Sequence, residues 1–157
     1  MRNSQTVANR FLALAEERED ALTPMQLLKL VYIAHGWMLG IYGRPLIKDR
    51  VEAWQYGPVI PALYKQLREY RGAPVTRSLP EPFGAKGLDD SEDDVVRQVY
   101  DAYGSRTGMS LSRLTHAKGS PWDMVYEPGT FGEVIPTDLI EDHYRRLAER
   151  GGQEVVA

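Results

Sequence analysis

The stretch "ALTPMQLLKLVYIAHGWMLG", residues 21–40, decides how this chain is read. Thr23 is a good N-cap, and Pro24 stands at the first helical position, where a missing N–H costs nothing. Gln26, three residues after Thr23, completes a capping box, and Leu22 with Leu27 forms a hydrophobic staple. The body that follows is apolar on most faces, from Leu27 through Val31 and Ile33 to Trp37 and Met38. Such a helix packs at the centre of a domain with the others around it. Gly40 and Gly43 are read as its end.

Outward from that helix the pattern stays mostly helical. On its N-terminal side, Val7, Phe11 and Leu14 recur at helical spacing over 4–19 and predict a core-facing amphipathic helix. On its C-terminal side, residues 45–56 change period. Val51, Ala53 and Gln55 alternate with Glu52, Trp54 and Tyr56, which predicts a short strand, paired as a hairpin with Leu46–Ile47. Gly57–Pro58 is read as a turn, and Pro58 and Pro61 as the first turn of a helix running to about Arg71. Leu63, Leu67 and Tyr70 make one stripe of that helix, and Tyr64, Arg68 and Arg71 another.

Residues 72–90 are dense in Gly and Pro and predict an exposed, flexible loop. In the run "DDSEDD", residues 89–94, five of six residues are acidic, which suits the positive end of a helix dipole; Ser91 with Asp94 is the expected cap. Val95, Val96, Val99, Tyr100 and Tyr103 carry that helix. Two short helices are expected next, one capped near Ser110 and one started by Ser120–Pro121. "GEVI", 132–135, reads as a second short strand, and "PTDLIEDHYRRLAERGG", 136–152, as a last helix with acids early and arginines late. The fold class is therefore mostly α: a compact helical domain around a buried central helix, with a small β-hairpin or short sheet. With 157 residues the chain reads as one domain throughout.

The totals exclude several function classes. There is no cysteine, so disulfides, thiolate metal sites and cysteine nucleophiles are out together, and a reducing cytoplasm is the natural reading. The first twenty residues hold no long apolar stretch of a signal peptide, and no run approaches the roughly 18 apolar residues of a membrane helix. The serines, glycines and three histidines fall in no nucleophile elbow, P-loop, dinucleotide fingerprint or zinc spacing. His35 sits in the central helix and reads as a satisfied core residue; His116 ends a short helix. No enzyme, metal or cofactor is expected.

Charge is uneven. Residues 1–78 carry 11 Lys and Arg against 7 Asp and Glu, a balance of +4; residues 79–157 carry 8 against 15, a balance of −7. Either half could face an oppositely charged partner, or the imbalance could be scatter over solvated faces. The net charge of −3 argues against a nucleic-acid binder, although Lys65, Gln66, Arg68 and Arg71 make 59–71 the one candidate for a DNA-reading helix. Protein binding is the remaining class, because interface centres favour Tyr, Trp and Arg. Tyr64 and Arg68, one turn apart on a polar side, are the expected partner contacts together with Arg71. Trp54, Tyr56 and Tyr70 fit the core as well as an interface.

Three blocks, "LLKLVYIAHGW" (27–37), "EAWQYGPVIPALY" (52–64) and "LSRLTHAKGSPWDMVY" (111–126), with the Gly-Arg-Pro-Leu turn at 43–46, resemble the Panacea antitoxin-domain family, which includes GepA- and SocA-like members of bacteria and prophages. The resemblance runs over about residues 5–148. It implies an antitoxin that neutralises a cognate protein toxin by direct binding. A second mode known in that family is a proteolytic adaptor that delivers the toxin to the ClpXP protease, and a third reading is a DNA-binding regulator. It also implies that the signature residues Trp54, Tyr56, Gly57, Pro58, His116, Pro121 and Trp122 are scaffold rather than specificity, leaving partner choice to exposed faces.

Overall fold

The computed structural model describes residues 1–151; the final glycine of the stretch 136–152 lies outside them. Among the described residues there are six α-helices and one small sheet. Helix α1 is Ser4–Glu17, α2 Pro24–Tyr42, α3 Pro61–Leu67, α4 Asp90–Tyr103, α5 Gly108–Thr115 and α6 Thr137–Glu149; the strands are β1 Glu52–Trp54, β2 Gly57–Val59 and β3 Glu133–Val134.

Helix α2 is the axis of the domain. Thr23 accepts from the Gln26 N–H and the Gln26 side chain accepts from the Thr23 N–H, so the capping box forms on both sides. The helix packs against α1, α3, α4, α5, α6 and β2. Its C-terminus differs from the sequence reading. Gly43, at φ 69°, is the left-handed cap, whereas Gly40 lies inside the helix. Gly36 and Gly40, one turn apart, form a seat for α6. A Cβ on Gly36 would stand 2.2 Å from a Tyr144 ring carbon, and one on Gly40 would stand 2.6 Å from the Tyr144 main chain. Tyr144 is fully buried there, edge-on to Trp37 and Tyr32. The sequence reading takes Gly40 as part of the helix end; the close approach of α6 explains it and Gly36.

The sheet has the order β2-β1-β3, antiparallel throughout. Trp54 pairs with Gly57, so the hairpin turn is Gln55–Tyr56, and Gly57–Pro58 open the second strand rather than forming the turn. Pro58 therefore does not start α3; Pro61 does. Leu46–Ile47 pair elsewhere, with the N-terminus: the Arg2 N–H donates to the Leu46 carbonyl and the Lys48 N–H to the Arg2 carbonyl. Their other donors are taken by His35, whose Nδ1 accepts from the Leu46 and Ile47 N–H groups. Burial pushes that imidazole down to about 4, which keeps it the neutral acceptor this contact requires. His35 is a satisfied core residue. "GEVI" does supply a strand, β3, on the far side of β1.

Further differences are local. Residues 61–71 make α3 and then a single 3-10 turn, Arg68–Tyr70, rather than one helix. Asp89, not Ser91, caps α4. Its carboxylate accepts from the Glu92 N–H, and the Glu92 carboxylate accepts from the Asp89 N–H, each at 2.8 Å. Thr107, not Ser110, caps α5. The segment after Ser120 is a chain of turns, although Ser120 accepts from the Asp123 N–H as a cap would. The segment between α3 and α4 has no regular structure after its first turn, yet it is tied to the domain. The Val75 N–H donates to the Leu22 carbonyl, Asn9 brackets Leu79 with two hydrogen bonds, and Val75 and Leu79 are buried.

Candidate functional site

The hairpin is held in place by side chains from elsewhere in the chain, and that placement builds the site beside it. Three side chains from elsewhere in the chain take successive alternate carbonyls. Trp122 Nε1 donates to the Trp54 carbonyl at 2.6 Å, Ser112 Oγ to Tyr56 at 2.8 Å, and Lys29 Nζ to Pro58 at 2.8 Å. The "AWQYGPV" and "THAKGSPW" blocks are therefore one interlocked unit. Pro121 is buried beneath it, His116 stands edge-on to Trp122, and Tyr126 stacks on the same indole. Gly57 is required by this arrangement. Its φ is 124°, and a Cβ there would sit 2.9 Å from Lys29 Nζ and 3.6 Å from His116.

Beside the hairpin lies an open groove of about 520 Å³. Leu28 and Lys29 of α2, Trp54 and Tyr56 of the hairpin, and Tyr64 and Arg68 of the α3 arm line it. The Trp54 indole is its central wall. Its N–H donates to Glu52 at 2.9 Å, and its ring meets Tyr64 edge-on at 4.9 Å and Phe131 at 5.0 Å. Large apolar groups stand exposed around the opening: Phe131 at 74%, Tyr56 at 69% and Met25 at 45%. Exposed apolar patches rimmed by polar groups are common where proteins dock partners or ligands.

The sequence-selected residues meet here. Tyr64, Arg68 and Arg71 all border the groove and are exposed. Tyr56 divides its roles: its carbonyl is clamped by Ser112, while its ring is in solvent, so it is not a core side chain. Trp54 and Tyr70 are half-buried, and Gly57 and Pro58 are buried.

Sequence reasoning missed Lys29, Met25 and Phe131. Lys29 had a signal, as the one cation in an otherwise apolar stretch, "LLKLVYI". Its side chain is 3% exposed, and burial pushes the amine down to about 7. It has no ion pair among the described residues. Phe131 had none, because only chain packing brings the loop before β3 onto Trp54.

The charge imbalance between the two halves is partly consumed inside the molecule. Arg2 and Arg44 converge on Asp89 and the fully buried Glu92, Arg10 pairs with Asp93, and Arg18 with Asp101. The N-cap hydrogen bond from the Glu92 N–H holds Asp89 below the usual carboxylate range, and the hydrogen bond from Arg10 does the same for Asp93. Arg68 and Arg71 have no such partner among the described residues.

This chain belongs to the family described as antitoxin SocA-like, Panacea domain, whose pattern matches residues 27–123 and so takes in α2, the hairpin and the α5 clamp. It is similar to the protein named Antitoxin SocA of Caulobacter vibrioides (strain NA1000 / CB15N), with 29% identity over 155 residues that cover 91% of this chain and 82% of that protein. No solved structure matches. No helix among the described residues is long and apolar enough to cross a membrane.

Proposed function

We propose that this protein is an antitoxin that silences a cognate protein toxin in the cytoplasm by stoichiometric binding through the groove between α2, the hairpin and α3. Membership of an antitoxin family supports the class of activity. The observation that carries the mode is the groove itself. Its Trp, Tyr, Met and Arg content is that of an energetic interface centre, and its rings are fixed in place before any partner arrives. The signature blocks make the frame, and the exposed groups on the frame make the contact.

The test is co-expression with the product of the adjacent gene. That product should arrest growth alone, and this protein should restore growth and co-purify with it in a fixed ratio. The double variant Tyr64→Ala, Arg68→Ala should fold and lose both effects. Full rescue by that variant sinks the groove as the docking face. The same cells separate inhibition from delivery to ClpXP: under direct inhibition the toxin stays intact while silenced, and its clpP-dependent disappearance would count against this mode.

A further inference from the structure

We infer that the groove receives a segment of the partner that combines large apolar side chains with a carboxylate, and that Lys29 at the groove floor, with Arg68 and Arg71 at the rim, is the receptor for that carboxylate. This inference rests on the groove being the docking face proposed above. It starts from a charge asymmetry. The lining includes three cations, Lys29, Arg68 and Arg71, and no carboxylate. Several arginines elsewhere are neutralised internally: Arg2, Arg10, Arg18 and Arg44 face carboxylates of α4 or of its N-cap Asp89. The cations of the groove face none among the described residues.

Lys29 is the most specific of the three. An ammonium has three N–H donors, and the Pro58 carbonyl takes one. The side chain is 97% out of solvent, in an apolar setting where an unpaired charge is costly. Desolvation alone, with no opposing partner, lowers its affinity for a proton. An incoming carboxylate supplies what the site lacks, a negative group and acceptors for the remaining donors. A purely structural lysine at this depth would be expected to bring its own counter-charge, as Glu92 does on the opposite side of the domain. The apolar part of the occupant follows from Trp54, Tyr64 and Phe131, whose ring contacts leave an aromatic wall open to solvent.

Fluorescein-labelled octapeptides of Gly and Ser around a Leu-Phe-X-Leu core test this by anisotropy against the full chain, with X as aspartate, asparagine or lysine. Aspartate should bind about tenfold tighter than asparagine, and lysine weakest. Lys29→Met, shown by circular dichroism to be folded, should bring the ratio of aspartate to asparagine affinity down to about one. Should Lys29→Met misfold, Arg68→Gln with Arg71→Gln, both at exposed positions, must reduce the preference several-fold. Equal binding of aspartate and asparagine peptides overturns the inference. So does an undiminished preference in the folded variants, or stronger binding of a dT12 oligonucleotide than of the aspartate peptide. The two readings fail separately: a toxin that co-purifies while aspartate shows no advantage removes the carboxylate receptor alone, and a clear aspartate preference without toxin capture removes the antitoxin mode alone.

Discussion

Two regions of this molecule handle positive charge in opposite ways. At the N-terminal end of α4, Arg2, Arg10 and Arg44 gather around Asp89, Glu92 and Asp93, and the buried Glu92 also completes the cap of its own helix. Around the hairpin, Lys29, Arg68 and Arg71 border an aromatic groove with no acid in its lining. The first arrangement joins residues up to 90 apart in sequence and fixes α1, α2 and α4 to one another. In the second, only Lys29 holds structure, through the Pro58 carbonyl beside the Trp122 and Ser112 clamps; Arg68 and Arg71 pair with no carboxylate among the described residues. Charges that have found partners hold the fold; charges left without them, on an apolar surface, are available to another molecule.

That contrast can be broken in order of expected effect. Glu92→Ala should be the most damaging, because it strands Arg2 and Arg44 and opens the α4 cap together. A loss of about 3 kcal/mol in urea unfolding is expected, with the aromatic wall of the groove unchanged. A loss under about 0.5 kcal/mol would mean that this seam is only a surface pairing. Second, Tyr64→Ala with Arg68→Ala should weaken the proposed toxin complex by about 2 kcal/mol, roughly thirtyfold by titration calorimetry. Stability should fall by no more than about 1 kcal/mol, the value of one edge-on ring contact.

Third, Lys29→Met removes a buried cation without a counter-charge but also the donor to the Pro58 carbonyl, so near neutral pH the variant should gain no more than about 1 kcal/mol of stability. The sign of the pH dependence follows from the depressed amine. The unfolded chain binds this proton up to about pH 10.5, whereas the folded chain releases it near 7. Between those values the unfolded state holds more protons, so wild-type stability rises with pH across that window. The melting advantage of the methionine variant should therefore be largest at pH 6 and shrink toward pH 10. A gap that stays constant across that range would show that the amine titrates alike in both states. The smallest effect belongs to Arg18→Ala or Arg97→Ala, whose pairs with Asp101 and Asp93 are largely exposed; each should change stability by less than about 0.5 kcal/mol.

The readings that succeeded from sequence are those settled within one or two turns of chain. The α2 capping box joins Thr23 to Gln26, three residues away, and the apolar body of that helix is visible as composition. The amphipathic faces of α1, α4 and α6 are also local. Some misreadings were local, as with the caps of α4 and α5 and the early end of α3; others involved a partner distant in sequence. Leu46–Ile47 pair with Arg2 instead of with the neighbouring strand. Gly40 looks like a helix end until Tyr144 arrives against it. Gly57 looks like a turn, yet its absent side chain makes room for Lys29. Tyr64, Arg68 and Arg71 were recognisable as too polar a stripe for a core, but nothing in their spacing tells of Trp54 and Phe131 beside them.

By itself, the sequence determined a helical domain around residues 24–42, a short strand within residues 51–56, and the residue types from which a protein-binding surface is made. Those outcomes depend on backbone hydrogen bonding and side-chain periodicity, whose range is three or four residues. Only the tertiary structure decided which cations are neutralised and which stay open, and that Lys29 lies under the groove instead of in solvent. Charge pairing and desolvation act through space, between groups whose separation along the chain says nothing about their distance once α2 has collected the other helices around it.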